Sequence, residues 1–328
     1  MRNWIRSNGF LLGLLAAVGV AILFPGGGAS GGLFRSEITT QLGVVVIFLL
    51  QGMILPTQSL GRGILDWRLH LFVHAFIFVV IPLLVLLFDR TLGGSVFVDP
   101  NLRLGFLFLA ILPTTIFTAI VFTSLVKGNT AGALFNTIVS NVLGVLIVPV
   151  WISWVASSEA RGAFPWDLIL RISLFILIPL LAGQVLRLFF RRAAEERKAA
   201  INRINTCIIL FIVYAAFSNS VVSGLWQGHG VFLVAISIPA ATGLFVLVLA
   251  LVYSSSVILR FSRENRMAAL FCAPQKTLAA GVPMAQLIFA DNPGMGIILL
   301  PILVYHTIQL FAGGLIIGWL QKRDPVLK

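Results

Sequence analysis

Leu112-Pro113-Thr114-Thr115-Ile116-Phe117-Thr118 and Ala273-Pro274-Gln275-Lys276-Thr277 decide the fold of this chain. In each, a proline deep in an apolar run is followed at once by hydrogen-bonding side chains. A turn comes within about 20 residues of both, Lys127-Gly128-Asn129 after the first and Asp291-Asn292-Pro293-Gly294 after the second. Proline carries no N–H and its ring displaces the carbonyl four residues back, so a helix ladder breaks there. In hydrocarbon an unpaired backbone group costs several kcal/mol, and such a break is tolerated only inside protein or along an aqueous cavity. Two breaks at matching positions bring four half-helix ends together: N-termini that favour anions, and freed carbonyls that favour cations. Either proline alone reads as an ordinary kink; the pair, each with its polar run, reads as a binding centre.

The chain around these stretches has the composition of a membrane protein. Of its 328 residues, 59% are apolar and 10% charged, with a mean hydropathy of +1.04. Soluble domains run at about 45–50% and about 25%, so a soluble enzyme, a disordered chain and a coiled coil are all excluded. Apolar stretches long enough to cross a bilayer lie near residues 9–24, 38–55, 69–88, 102–126, 130–155, 166–190, 204–225, 231–259, 266–290 and 294–320, ten spans in all. Alternate loops differ in charge. The N-terminus, the loops around Arg62, Lys127, Arg192 and Arg263, and the C-terminus hold 17 Lys/Arg, against 4 in the loops around Arg35, Arg90, Arg161, His229 and Asp291. The positive-inside rule then puts both termini in the cytoplasm, in a plasma or bacterial inner membrane. The net charge of +12 is thereby explained by orientation and by anionic headgroups, notably at the loop Arg191-Arg192-Ala193-Ala194-Glu195-Glu196-Arg197-Lys198. No nucleic-acid partner is expected. Arg2 and Arg6 ahead of Phe10–Phe24 also fit a signal peptide with Ala29-Ser30 near its cleavage site, which would leave nine spans and an unpaired half. Gly26 to Gly28, after Pro25, read as an external turn, and Cys207 and Cys272 form no metal or disulfide pattern.

The link Ser157-Ser158-Glu159-Ala160-Arg161 divides the chain into residues 1–156 and 165–328, each with five spans. An odd number forces the second half to enter the membrane from the opposite side, the inverted repeat of secondary transporters.

Lys276 is the one charge clearly inside a span. A charge at the bilayer centre costs at least about 2.5–3.5 kcal/mol, which makes it a functional candidate, with snorkelling to an interface as the bland alternative. Thr114, Thr115, Thr118, Gln275 and Thr277 supply uncharged donors and oxygens beside it. His306 and Gln309 are three apart on one helix face, and His74 stands on span 3. Asn136, Ser140 and Asn141 on span 5 fit either binding or interhelical hydrogen bonding. No HExxH, GxSxG or GxxxxGK[ST] pattern is present, which removes the obvious enzymes and an ATP-driven pump. A secondary transporter leads, with a passive channel or a membrane scaffold as the alternative.

The runs LPTTIFTAIVFTSLVKGN (Leu112 to Asn129), CAPQKTLAAGVPMAQLIF (Cys272 to Phe289) and YHTIQL (Tyr305 to Leu310) resemble the bile acid:sodium symporter family. They look most like the member-seven branch of solute carrier family ten and its bacterial relatives. The resemblance implies an all-α, ten-helix fold with a panel domain (spans 1, 2, 6, 7) and a core domain (spans 3–5, 8–10, including His74). Discontinuous spans 4 and 9 would cross in the core, and a small organic anion would move by alternating access. It also implies Na⁺ as coupling ion, placed near Thr114, Thr118 and Gln275, and no organic cofactor. Two departures stand out. All eleven acids lie in loops or at span edges, and Phe271 or Cys272 stands where bile-acid-transporting members carry a sodium-binding acid. Thr118-Ala119 stands where they carry Ser-Asn. A lysine without an acid in such a crossover leads us to expect that Lys276 replaces at least one coupling cation, either as an ammonium where a sodium ion would sit or by releasing a proton during the cycle.

Overall fold

The computed structural model describes residues 2–55, 65–93, 99–160 and 166–323; Arg62, Arg161 and the residues after 323 lie outside them. Among the described residues the secondary structure is helical. The helices are α1 (Arg2–Leu23), α2 (Pro25–Gly28), α3 (Ser36–Ile54), α4 (Trp67–Ala75), α5 (Ile81–Phe88), α6 (Pro100–Ile111), α7 (Phe117–Leu125), α8 (Thr130–Ala160) and α9 (Trp166–Glu196). Then come α10 (Lys198–Val222), α11 (Gly230–Ile258), α12 (Arg263–Cys272), α13 (Leu278–Ile288) and α14 (Met295–Arg323). A π-helical turn, Phe76–Val80, joins α4 to α5, and another, Asp89–Gly93, follows α5.

Among the described residues seven segments are long and apolar enough to cross a bilayer: Ser36–Ile54, Trp67–Thr91, Thr130–Val155, Ile172–Glu196, Lys198–Val222, Gly230–Ile258 and Met295–Lys322. Gly9–Leu23, Pro100–Ile111 and Leu278–Ile288 are shorter apolar helices. Outer faces carry Leu23, Leu188, Phe189, Val231, Ile258 and Phe311 in the open. So much exposed apolar surface requires lipid rather than water, and the chain is a multi-pass integral membrane protein.

Two local expectations give way. The polar link after span 5 is helical through Ala160, because Ser157 to Ala160 contain neither proline nor glycine to stop α8. The basic loop after span 6 is helical from Arg191 to Glu196, set off from the span by a kink at Phe190 (φ −116°, ψ 22°), with only Arg197 between α9 and α10. Ion pairs at helical spacing, Arg191–Glu195 (3.0 Å) and Arg192–Glu196 (2.9 Å), support that extension. The turn expected at Pro25–Gly28 is a helical one; Cβ atoms on Gly27 and Gly28 would strike Tyr214 at 2.7 and 2.5 Å, so the glycines let α2 lie against α10.

The chain divides into two compact units. The first comprises Met1–Leu55, Pro149–Val234 and Ala279–Leu300. Its tightest feature is the crossing of α3 and α9, where a Cβ on Gly52 would stand 2.2 Å from the Leu180 carbonyl and one on Gly183 would stand 2.1 Å from the Leu49 carbonyl. The open C-terminal carbonyls of α3 are capped from α9: Gln184 Nε2 donates to Gly52 O (2.5 Å) and Arg187 Nη1 to Met53 O (2.8 Å).

The second unit comprises Pro56–Val148, Ala235–Leu278 and Pro301–Lys328. Here α6 starts at an Asp99 N-cap, whose carboxylate accepts from Leu102 N–H (2.9 Å) with Pro100 at the first helical position. The start of α12 is capped by Ser262. Asp66, Asn129 and Asn265 tie together the N-terminal ends of α4, α8 and α12, Asn129 Nδ2 donating to Asp66 Oδ2 and to Asn265 Oδ1, both at 2.7 Å.

Candidate functional site

The site is built where two helices stop short. α6 ends at Ile111 and α7 begins at Phe117; α12 ends at Cys272 and α13 begins at Leu278. These four helices have 12, 9, 10 and 11 residues. At about 1.5 Å per residue none spans the ~30 Å of a hydrocarbon core. The breaks fall on the two Pro-plus-polar runs, and they touch: Thr277 N–H donates to Pro113 O at 2.9 Å.

The released backbone groups around both breaks find side-chain partners. At the first, Asn141 Nδ2 donates to Thr114 O (2.9 Å). At the second, Tyr305 Oη donates to Pro274 O (2.7 Å). Gln309 lies across Lys276 as an adjoining strand would, its Oε1 accepting from Lys276 N–H (2.8 Å) and its Nε2 donating to Lys276 O (2.9 Å). His306 Nδ1 sits 2.9 Å from the same Nε2. Tyr305 and Gln309 are one turn apart on α14, so a single helix face holds the break.

Lys276 does not snorkel. Its residue is 1% exposed, and its Nζ donates to Ala110 O (2.6 Å), Leu112 O (2.9 Å) and Ile77 O (3.2 Å). Three ammonium hydrogens meet three carbonyls, which satisfies the charge with dipoles alone. Two of these carbonyls come from the C-terminal end of α6, where the helix dipole is negative. Beside it, Gln275 Oε1 accepts from Thr115 Oγ1 (2.5 Å) and Thr118 Oγ1 (2.8 Å), and the two hydroxyls lie 2.5 Å apart. Three uncharged oxygens thus converge at the two breaks, one of them on the residue that precedes Lys276.

The expected site residues therefore separate. Thr115, Thr118, Gln275, Lys276, Thr277, His306 and Gln309 come together at the breaks. Thr114 contributes its carbonyl, while its buried hydroxyl has no hydrogen-bond partner among the described residues. His74 and Asn136 belong to other contacts. His74 Nδ1 lies 2.7 Å from His70 O, one turn back on α4, and Asn136 Oδ1 lies 3.0 Å from His70 Nδ1. The spacing of chemistry-bearing residues does not single out Tyr305, His70 or Ile77. Tyr305 is within its reach, four residues before Gln309; Ile77 acts through its backbone, which no side-chain pattern reports.

Comparison with known proteins extends the likeness beyond spans 4, 9 and 10. An uncharacterized Pseudomonas aeruginosa protein is 38% identical, covering 92% of this chain and 90% of its own. YfeH of Escherichia coli is 32% identical over 92% of this chain and 89% of its own. Sodium/bile acid cotransporter 7 of Danio rerio is 28% identical over 98% and 97%. The family model for SBF-like CPA transporters matches residues 8–322, and the chain belongs to that family.

Proposed function

We propose that this chain is a secondary transporter that moves a small organic anion across a plasma or bacterial inner membrane by alternating access. The observation that carries the proposal is the contact of two helix breaks around the buried Lys276 ammonium. Broken helices joined inside protein are how transporters present backbone dipoles to a substrate or ion. Counting α1 as a crossing, and α6 with α7 and α12 with α13 end to end as one each, brings the seven long segments to ten. The halves 1–156 and 165–328 are then inverted repeats, with both termini cytoplasmic. Spans 1, 2, 6 and 7 form the panel, and spans 3–5 and 8–10 the core. The names of the cotransporter 7 relatives support sodium coupling and an organic-anion substrate.

In this scheme Lys276 is a resident cation in place of at least one coupling ion, because its three carbonyl partners and complete burial give a sodium ion nothing further to bind there. Gln275, Thr115 and Thr118 are the oxygens left for a mobile Na⁺. The anion is drawn by Lys276 and the N-terminal ends of α7 and α13.

Purified protein in liposomes, with sodium outside and choline inside, should accumulate a labelled organic anion from a panel of amphipathic carboxylates and sulfates above its external concentration. Equilibration without accumulation would identify a channel and end the proposal.

A further inference from the structure

The third carbonyl on Lys276 has a separate origin from the other two. Ala110 and Leu112 are free because α6 stops before Pro113. Ile77 lies on another element, inside the π-helical turn between α4 and α5. In an unbroken α-helix its carbonyl would accept from Ile81 N–H, four residues on. Here Ile81 N–H reaches back five residues to Phe76 O instead. In that wider pattern Ile77 O would accept from residue 82, and residue 82 is proline, which has no N–H. The π turn moves one donor away and Pro82 withholds the next. Ile77 O is thereby left for Lys276 Nζ, 3.2 Å distant. Ile77 and Lys276 are 0% and 1% exposed, and Pro82 is buried with them, so water does not offer the carbonyl an alternative.

We propose that Pro82 is a positioning residue for Lys276: by withholding a backbone N–H, it keeps the Ile77 carbonyl open as the third ligand of the buried ammonium. Each proline then frees carbonyls for the same charge, Pro113 from α6 and Pro82 from the α4–α5 segment, and π turns inside helices recur at functional sites for this kind of reason. The role rests on Lys276 being the resident cation of the site proposed above.

The consequence has an unusual sign. Replacing a helix-interior proline by alanine supplies a missing hydrogen bond and relieves a clash, so alone it should stabilise. With Lys276 present, the N–H that Pro82→Ala introduces competes with the ammonium for Ile77 O and leaves part of a buried charge unpaired, which should destabilise.

The test is a double-mutant cycle on full-length protein in mixed micelles, comparing wild type, Pro82→Ala, Lys276→Met and the double variant by their unfolding midpoints. The midpoint should fall on Pro82→Ala in the wild-type background and rise, or hold, in the Lys276→Met background. Equal shifts in both backgrounds would overturn the proposal and leave Pro82 as a simple kink. Should Lys276→Met not fold, Lys276→Gln retains two donors, and the same reversal is expected at reduced size. Uptake is measured alongside. Wild type without accumulation would defeat the transport proposal, whereas the cycle decides the Pro82–Lys276 link without transport.

Discussion

Gln309→Leu should destabilise the protein by roughly 2–6 kcal/mol. The side chain touches neither exposed surface nor an ion pair; it closes two hydrogen bonds to one residue of a broken helix, Lys276 N–H at 2.8 Å and Lys276 O at 2.9 Å. Leucine fills a similar volume and leaves both groups buried without a partner. Each orphaned buried group costs about 1–3 kcal/mol, which gives the range. A competing figure exists. Side-chain hydrogen bonds between transmembrane helices average about 0.6 kcal/mol, because partners are found in the unfolded state as well. That figure applies to side chains on intact helices. At residues 273–277 the ladder itself is open, and the proline at 274 prevents local helix from replacing what Gln309 supplies. The orphan cost should therefore prevail. Tyr305→Phe provides the scale, since it removes one such bond, to Pro274 O at 2.7 Å, and should lose about half as much, roughly 1–3 kcal/mol. The assay is reversible unfolding in mixed micelles titrated with sodium dodecyl sulfate, followed by tryptophan fluorescence. A Gln309→Leu loss below about 1 kcal/mol, or one no larger than that of Tyr305→Phe, would refute the reasoning.

Other outcomes follow from the same geometry. Gly52→Ala or Gly183→Ala places a methyl group 2.2 or 2.1 Å from a facing carbonyl and should lose about 3 kcal/mol, the upper end of overpacking costs, or fail to fold, whereas Gly243→Ala, with open space around it, should leave the melting temperature within error. Uptake by wild type should depend less on sodium than uptake by a relative with an acid in this crossover, and Lys276→Ala should abolish accumulation; strict sodium dependence that survives Lys276→Ala would defeat the resident-cation role. A cysteine placed between Asp291 and Gly294, with Cys207 and Cys272 replaced, should react with an impermeant maleimide in intact cells, and labelling only after lysis would reverse the proposed orientation.

The helix breaks are legible in the sequence because proline acts locally: the missing N–H opens the ladder wherever the rest of the chain goes. Lys276 is legible for a similar reason, as a charge among apolar neighbours is expensive in any packing. Helix ends are less legible. Ser157 to Ala160 and Arg191 to Glu196 are polar and read as loop, yet polarity does not forbid helix outside the bilayer: α8 runs on through Ala160, and the Arg191–Glu195 and Arg192–Glu196 pairs hold a helical turn beyond the kink at Phe190. His74 and Asn136 are candidates by residue type alone. Asn136 finds its partner through the packing of α8 against α4, His74 finds its own one turn back on α4, and His70, outside the expected set, takes both. Ile77 is beyond any side-chain pattern, although Pro82, in the same span, is its sequence signal.

The polar residues of the second unit differ in what they serve, and this bears on mechanism. Asn141, Tyr305 and Gln309 are spent on backbone groups that the prolines released, so they maintain the breaks and are poor candidates for contact with a passing substrate. Lys276 does both kinds of work: its main chain is held by Gln309, and its ammonium is spread over carbonyls of two separate elements. Moving the ammonium toward a substrate would break all three of those bonds in a dry environment, a large penalty for a charge. Lys276 is therefore better suited to attract an anion at a distance than to follow it. Gln275, Thr115 and Thr118 are different again, because their oxygens bond chiefly to one another and hold no broken backbone in place. Separating them would cost at most two hydroxyl hydrogen bonds, since two hydroxyl hydrogens serve all three oxygens, a modest sum that a bound cation can offset. The mobile ion and the moving part of the site should therefore be sought at that cluster, with Lys276 as the fixed charge against which both are set.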